Sequence, residues 1–286
     1  MAPMNDGPFD RRVVRLHRAA AAMSRQAEFL FVDVADRLAD RLDDITRRFP
    51  VALELGARHG AVSQALAGKN KTDFLVEADL SSAFARHLAV DEELLPFAPS
   101  SLDAVISNLA LHWVNDLVGT LIQVRMALKP DGLLLAALLG GETLVELRHA
   151  LADSEIAITG GLSPRLSPMV DVRDAGALLQ RAGFALPVVD TDRITVTYPD
   201  AFALMRDLKT MGENNALADR PRTLARRDVF LHAASLYQDR HADHEKRIPA
   251  TFDIIFLTAW APHTSQQQPL TPGSGNISLT QVLQDH

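Results

Sequence analysis

The stretch Pro50-Val-Ala-Leu-Glu-Leu-Gly-Ala-Arg-His-Gly60, followed by Ala61-Val-Ser-Gln-Ala-Leu66, leaves this chain little choice of architecture. Val51, Ala52, Leu53 and Leu55 form a short apolar run bounded by Pro50 and Gly56, the pattern of a strand buried on both faces within a parallel sheet. The glycines turn the chain, and helical spacing resumes at Ala61. A strand, a glycine turn and a helix in that order aim the helix's free N–H groups at whatever lies in the turn. The unit predicts a small-molecule cradle at the end of a central strand.

Spacing decides which molecule. A dinucleotide fingerprint asks for G-x-G-x-x-G, but here only Gly56 and Gly60 are glycine, Arg58 lies between them, and Glu54 stands two residues before the turn. The pattern E-x-G-x-x-x-G resembles the first motif of class I S-adenosylmethionine (SAM) methyltransferases, in which the acid meets the methionine amino group and the glycine backbone passes close to the cofactor. That resemblance implies SAM as the cofactor, with Glu54, Gly56, Ala57, Arg58 and Gly60 as its first contacts. Arg58 replaces the family's middle glycine. A non-glycine residue held at positive φ costs about 1 kcal/mol or more, and its side chain narrows the pocket.

The remaining runs extend the same pattern. Thr72–Asp79 reads as a second strand ending in Asp79, 79 − 54 = 25 residues after Glu54. A carboxylate at that tip of a doubly wound sheet accepts hydrogen bonds from ribose hydroxyls, which selects Asp79, beside Leu80, with Glu77 as the fallback. Leu88-Ala-Val followed by Asp91 and Glu92 fits a short third strand whose acids, by the resemblance, face adenine; Asp91 is preferred to Glu92. A proline-punctuated loop leads into a fourth strand, Ala104–Leu111, whose end from Asn108 to His112-Trp113 lies beside the crevice. Leu117–Leu128 is an amphipathic helix stopped by Pro130-Asp-Gly132. Leu133–Leu139 has the composition of a helix but the length and flanking glycines of a fifth strand. A glycine-capped helix over 172–183 precedes strand six, 187–197. Helices over 200–211 and 223–237 separate it from a last strand, 250–260.

The expected fold is thus a Rossmann-like α/β domain with a seven-stranded, mostly parallel sheet. Its parts are an N-terminal helical segment (1–49), the cofactor-binding core (50–198), a helical lid inserted at 199–247 with Gly212-Glu-Asn-Asn215 as its polar joint, the last core strand (248–264) and a flexible tail (265–286). Residues 9–49 read as helical. The basic run Arg11, Arg12, Arg15, His17, Arg18 reads as a solvated helix face, with contact to an acidic partner as the alternative.

Composition narrows the function. The chain has 286 residues, 47% hydrophobic and 23% charged, with a net charge of −7. Such a balance gives no reason to expect nucleic acid as partner. The absence of cysteine excludes disulfides, thiolate metal sites and a thiol nucleophile. No apolar run is long enough to span a bilayer and the N-terminus lacks a signal-peptide core, so the expectation is a soluble cytoplasmic protein.

Several further segments occur in a telling order: Leu95-Pro-Phe, Asn108-Leu-Ala-Leu-His-Trp-Val-Asn-Asp116, Leu128-Lys-Pro-Asp-Gly132, Gly140-Gly-Glu-Thr-Leu-Val-Glu-Leu-Arg148, Gly161-Leu-Ser-Pro-Arg-Leu-Ser-Pro168 and Asp207-Leu-Lys-Thr-Met-Gly-Glu-Asn214. Together they resemble the mitochondrial complex I assembly factor 5 family and its α-proteobacterial relatives. The malonyl-carrier-protein methyltransferases are a more distant likeness. The first resemblance implies a SAM-methyltransferase fold that hydroxylates an arginine of a protein substrate, a respiratory complex I subunit. For methyl transfer to an acceptor that must lose a proton His112 is the candidate base, with a packed, satisfied histidine as the plain alternative; arginine hydroxylation asks instead for an oxidant and an acidic pocket, and Glu142, Glu146 and Glu213 are carboxylates able to grip a guanidinium in two-point fashion. His241-Ala-Asp243-His244 has the residue types of an iron site but reads as a solvated helix end, and no metal is expected. Two other functions fit the residues: conventional methyl transfer to a carboxyl, amine or carrier-bound acyl group, and a non-catalytic assembly chaperone if Arg58 blocks the pocket.

Overall fold

In the computed structural model, which describes residues 7–165 and 167–267, the apolar runs pair into one sheet. Its strands are β1 (Val51–Leu55), β2 (Phe74–Asp79), β3 (Leu88–Ala89), β4 (Leu102–Asn108), β5 (Leu128–Leu139), β6 (Ala185–Tyr198) and β7 (Ile248–Trp260). Their spatial order is β3-β2-β1-β4-β5-β7-β6. The first five strands are mutually parallel, while β7 runs antiparallel to both β5 and β6. The sheet is therefore the expected mostly parallel one. Strand order reverses at β1, with β2 on one side and β4 on the other, and a crevice opens there beyond the carboxyl ends.

The leucine-rich run 133–139 is a strand because both its edges are paired, by β4 and β7, and both its faces are covered. It begins at Leu128, ahead of the expected Leu133, since the proline-containing segment is an irregular start to the strand with Asp131 at φ 63°. The fourth strand stops at Asn108, and Leu111–Trp113 forms a 3-10 turn.

Helices α1 (Arg11–Ala21) and α2 (Phe29–Asp43) occupy the N-terminal segment, so 9–49 is two helices and connecting chain, not one continuous helix. On α2, Leu30, Phe31, Val34, Ala35, Leu38, Ala39 and Leu42 are buried, the three- and four-residue spacing that lays one face on the sheet. Helices α3 (Ala61–Ala65), α4 (Leu117–Ala127), α5 (Val145–Thr159) and α6 (Val172–Arg181) follow, and α7 (Ala201–Met211) and α8 (Arg227–His241) lie between β6 and β7. α7 packs on α1, above the strand tips, while α8 packs on α5 and β7, away from the crevice. Gly212 ends α7 in the left-handed region at φ 80°, and the Glu213 N–H donates to Leu208 O at 2.8 Å. This glycine cap turns Glu213 back toward the crevice. No helix among the described residues is long and apolar enough to cross a membrane. The tail expectation from Ser265 falls, beyond residue 267, outside the described residues.

Candidate functional site

After β1 the chain crosses the tip of β2. The Gly56 and Ala57 N–H groups both donate to Ala78 O, at 2.8 and 3.0 Å. Gly56 has φ 87°, and a Cβ there would lie 2.2 Å from that of Ala110, so glycine is required twice over. Gly60 also has positive φ. Arg58, in the family's middle-glycine position, has φ 45°, so the strain expected from its sequence is present. Its N–H donates to Asp79 Oδ2 at 3.2 Å, and Ser81 N–H to Asp79 Oδ1 at 2.8 Å.

The Arg58 side chain turns inward and is 6% exposed. Nη1 donates to Met211 O at 2.6 Å and Nη2 to Glu213 Oε1 at 2.5 Å, while the guanidinium carbon lies 3.9 Å from the centre of the Phe31 ring. Its Nε has no hydrogen-bond partner among the described residues. Glu213 Oε2 accepts from Trp113 Nε1 at 2.8 Å and lies 3.0 Å from His112 Nε2. Burial works to raise the Glu213 pKa, but His112, Arg58 and Trp113 outweigh it and bring the carboxyl down to about 2. For Arg58 burial wins, lowering its pKa against the attraction of Glu213.

A second buried cluster lies under α1. Arg18 is 1% exposed; its Nη1 lies 2.5 Å from Glu92 Oε1 and 3.6 Å from Asp79 Oδ1, and its Nη2 donates to Ala110 O at 3.3 Å. Arg11 bonds Glu92 and also Asp91, at 2.7 Å to the latter. Burial opposes the charge on Arg18, but Glu92 and Asp79 more than compensate and raise its pKa. Glu92 is held below its ordinary value because Arg18 and Arg11 overcome its burial. Arg11 and Arg18 of the basic run are thus internal partners for the strand-tip acids, while Arg12 is exposed and Arg15, also exposed, lies 3.6 Å from Asp91 Oδ2 at the surface. Asp91 accepts from the Glu93 N–H in its own turn and is partly exposed, leaving Glu92 to point inward fully buried.

Glu54 is 1% exposed on β1, and its Oε2 has no hydrogen-bond partner among the described residues. Its pKa is raised well above the ordinary carboxyl value by burial first and by Glu77 and Asp79 next, against the Val62 N–H and Arg86. Asn108 donates through Nδ2 to Phe31 O at 2.8 Å, and its Oδ1 is likewise unpartnered. Two orphan acceptors therefore flank the Gly56 turn. A cavity lined by Gly56, Arg58, Phe31, Phe84, Asn108 and Met211 adjoins them, with about 30 Å³ open to a water-sized sphere. Pockets for drug-sized ligands run to roughly 300–1,000 Å³. The Arg58 side chain fills part of the crevice.

Leu80 is buried with Phe9, Val14 and Trp113, and its carbonyl accepts from Arg15. Two expected carboxylates lie elsewhere. Glu142 is exposed at the turn after β5, and Glu146 bonds the Thr251 hydroxyl at 2.5 Å, fastening α5 to β7. His241 meets Tyr237 edge to face, Asp243 closes its own turn to Glu245 and Arg247, and His244 is exposed, so these three do not converge. Sequence reading passed over Phe31 and the Met211 carbonyl, which no local pattern marks. It also missed Arg18, which was findable: it lies four residues after Val14 and three before Ala21, on the buried stripe of α1.

Residues 53–136 match the family model described as a methyltransferase domain. The chain is 38% identical over 287 residues to the arginine-hydroxylase NDUFAF5, mitochondrial, of Danio rerio, covering 96% of this chain and 89% of that one. The Homo sapiens protein of the same name is 39% identical, covering 96% and 83%. A malonyl-[acyl-carrier protein] O-methyltransferase of Xylella fastidiosa is 36% identical, covering 92% of each chain. Among solved structures, the YcgJ protein of Bacillus subtilis superposes with a TM-score of 0.54 at 13% identity, over 79% of this chain and 98% of that one, a likeness of fold alone.

Proposed function

Since the chain belongs to the methyltransferase-fold family of the NDUFAF5 arginine hydroxylases and the malonyl-[acyl-carrier protein] O-methyltransferases, we propose that it binds SAM across the tips of β1, β2 and β3 and acts on an arginine of a protein substrate. The observation that carries this reading is the buried Glu213 carboxylate, held by His112 and Trp113 beside the glycine turn and already gripping a guanidinium.

The residues at the strand tips fit the cofactor. Glu54 Oε2 and Asn108 Oδ1 are buried acceptors without donors among the described residues, as an α-ammonium requires. An arriving cation there would pull the raised Glu54 pKa back down and favour the ionised acid. Asp79 stands where a ribose hydroxyl would be received, and Glu92 at the next tip. When bound, SAM supplies a sulfonium and an electrophilic methyl carbon. Asp79 already accepts from the Arg58 and Ser81 N–H groups with Arg18 3.6 Å away, and Glu92 is held by Arg18 and Arg11, so a nucleoside enters as these arginines yield their contacts. Helix α1 and the turn after α7, which pack together over the tips, act as the cover that excludes water.

For the chemical step, Glu213 orients and neutralises a guanidinium, and the His112–Trp113 pair fixes the carboxylate in place. A substrate among the respiratory complex I subunits is the expectation attached to this reading. The test is incubation of an arginine-bearing subunit peptide with the protein, SAM, dioxygen and a two-electron reductant, which together supply the inserted oxygen and carry the other oxygen atom to water, followed by mass measurement. A gain of one oxygen supports the proposal; an unchanged mass counts against it. The similarity to a malonyl-[acyl-carrier protein] O-methyltransferase favours a second reading, methyl esterification of a carrier-bound carboxylate, for which Arg58 is the available cation. A methyl increment on an acyl-carrier substrate would establish that instead.

A further inference from the structure

Arg58 occupies a receptor rather than a packing gap. Three different groups address its guanidinium: a carboxylate oxygen of Glu213, the Met211 carbonyl and the face of Phe31. Charge, in-plane acceptors and an aromatic face are what recognition of an arginine side chain needs. The receptor does not depend on its present occupant, because His112 and Trp113 hold the other oxygen of Glu213. Nor is the occupant fully accommodated: its Nε is buried without a hydrogen-bond partner among the described residues, and its backbone is strained. From this box the cavity leads outward to Ser24, Glu28, Gln64 and Thr210, none of them buried.

We propose that the box formed by Phe31, Met211 O and Glu213 is the receptor for the substrate's arginine, and that Arg58 is a built-in stand-in which fills it until the incoming guanidinium displaces it. The inference rests on the arginine-directed reading above. It adds where the side chain is received and why the free protein is closed. An internal competitor that occupies the box nearly all the time weakens apparent affinity by the fraction of time the box is free. Wild type therefore binds arginine weakly, and removing Arg58 uncovers the site.

Calorimetry with Nα-acetyl-arginine amide tests this on the full chain, with Nα-acetyl-citrulline amide as the neutral shape control. Arg58→Ala is expected to bind the arginine compound at least tenfold more tightly than wild type, and the citrulline compound no better. Arg58→Ala combined with Glu213→Gln is expected to lose the gain. Arg58→Gln, which keeps side-chain bulk, serves if the alanine variant unfolds, and should show the same order. Equal binding of arginine by wild type and both Arg58 variants, or a gain indifferent to charge or to Glu213, overturns the proposal. The reaction assay separates the two readings. Oxygen added by a protein whose Arg58 variants gain no affinity sinks the receptor alone, while charge-selective binding without any reaction sinks the hydroxylase reading alone.

Discussion

Replacing Glu213 by glutamine removes one charge and leaves Arg58 and His112 facing a neutral amide inside the protein. Breaking a buried pair by removing one partner costs about 3–5 kcal/mol, because the surviving ion has lost its compensation. With an unfolding entropy of about 2.1 cal/mol/K per residue, 286 residues give roughly 0.6 kcal/mol/K, so the melting temperature should fall by about 5–8 °C. The pH dependence gives an independent measure. The folded-state pKa of Glu213, about 2, lies below its ordinary 4.5, so its contribution is complete above about pH 4.5 and disappears as pH falls through 2. A shift of that size corresponds to about 3 kcal/mol, at the low end of the pair estimate. Urea unfolding of wild type and Glu213→Gln at a series of pH values should show the gap between them shrinking in that window. Arg58→Met together with Glu213→Gln should recover part of the loss, with a coupling of about 1.5 kcal/mol or more, since removing both charges leaves neither stranded. A single-variant loss below about 1 kcal/mol, a gap that ignores pH, or strictly additive variants would refute the picture of a buried, mutually dependent pair.

Gly56→Ala should destabilise the fold by about 2 kcal/mol or more in thermal unfolding and abolish SAM binding, since the added Cβ meets Ala110 at positive φ; a stable, cofactor-binding variant would contradict the close approach. Asp79→Ala should lower SAM affinity at least tenfold by calorimetry, with unchanged affinity locating the ribose elsewhere. Arg18→Met should lose about 3 kcal/mol of stability yet bind SAM more tightly than wild type, because the cofactor no longer competes for Asp79 and Glu92; weaker binding would place Arg18 among the groups that hold the bound nucleoside.

Much of the sheet was legible because burial on both faces writes apolar runs, and glycine and proline punctuate them. The turn after β1 was legible to the residue, including the strain at Arg58, since backbone conformation there depends on local sequence. Polarity was not: nothing in residues 250–260 says that this strand runs opposite to its neighbours. Which of Asp91 and Glu92 turns inward was not legible, because β3 has only two residues, too few for alternation to choose a side, and a side-chain bond within the turn holds Asp91. The crevice itself is assembled from Arg18, Arg58 and Glu213, parts of the chain separated by 40 and 155 residues. Charges that pair over such distances leave no spacing to read.

The placement of β7 bears on how the protein is made. β5 ends at Leu139, but the strand that permanently closes its far edge starts at Ile248, 248 − 139 = 109 residues later. Throughout that interval of synthesis an apolar strand carries an open row of hydrogen-bonding groups, and β6, which pairs with β7 alone, has nowhere to dock. The emerging polypeptide is thus sticky until its final strand arrives. Premature stop codons upstream of residue 248 should yield aggregates or proteolytic fragments rather than a smaller working protein.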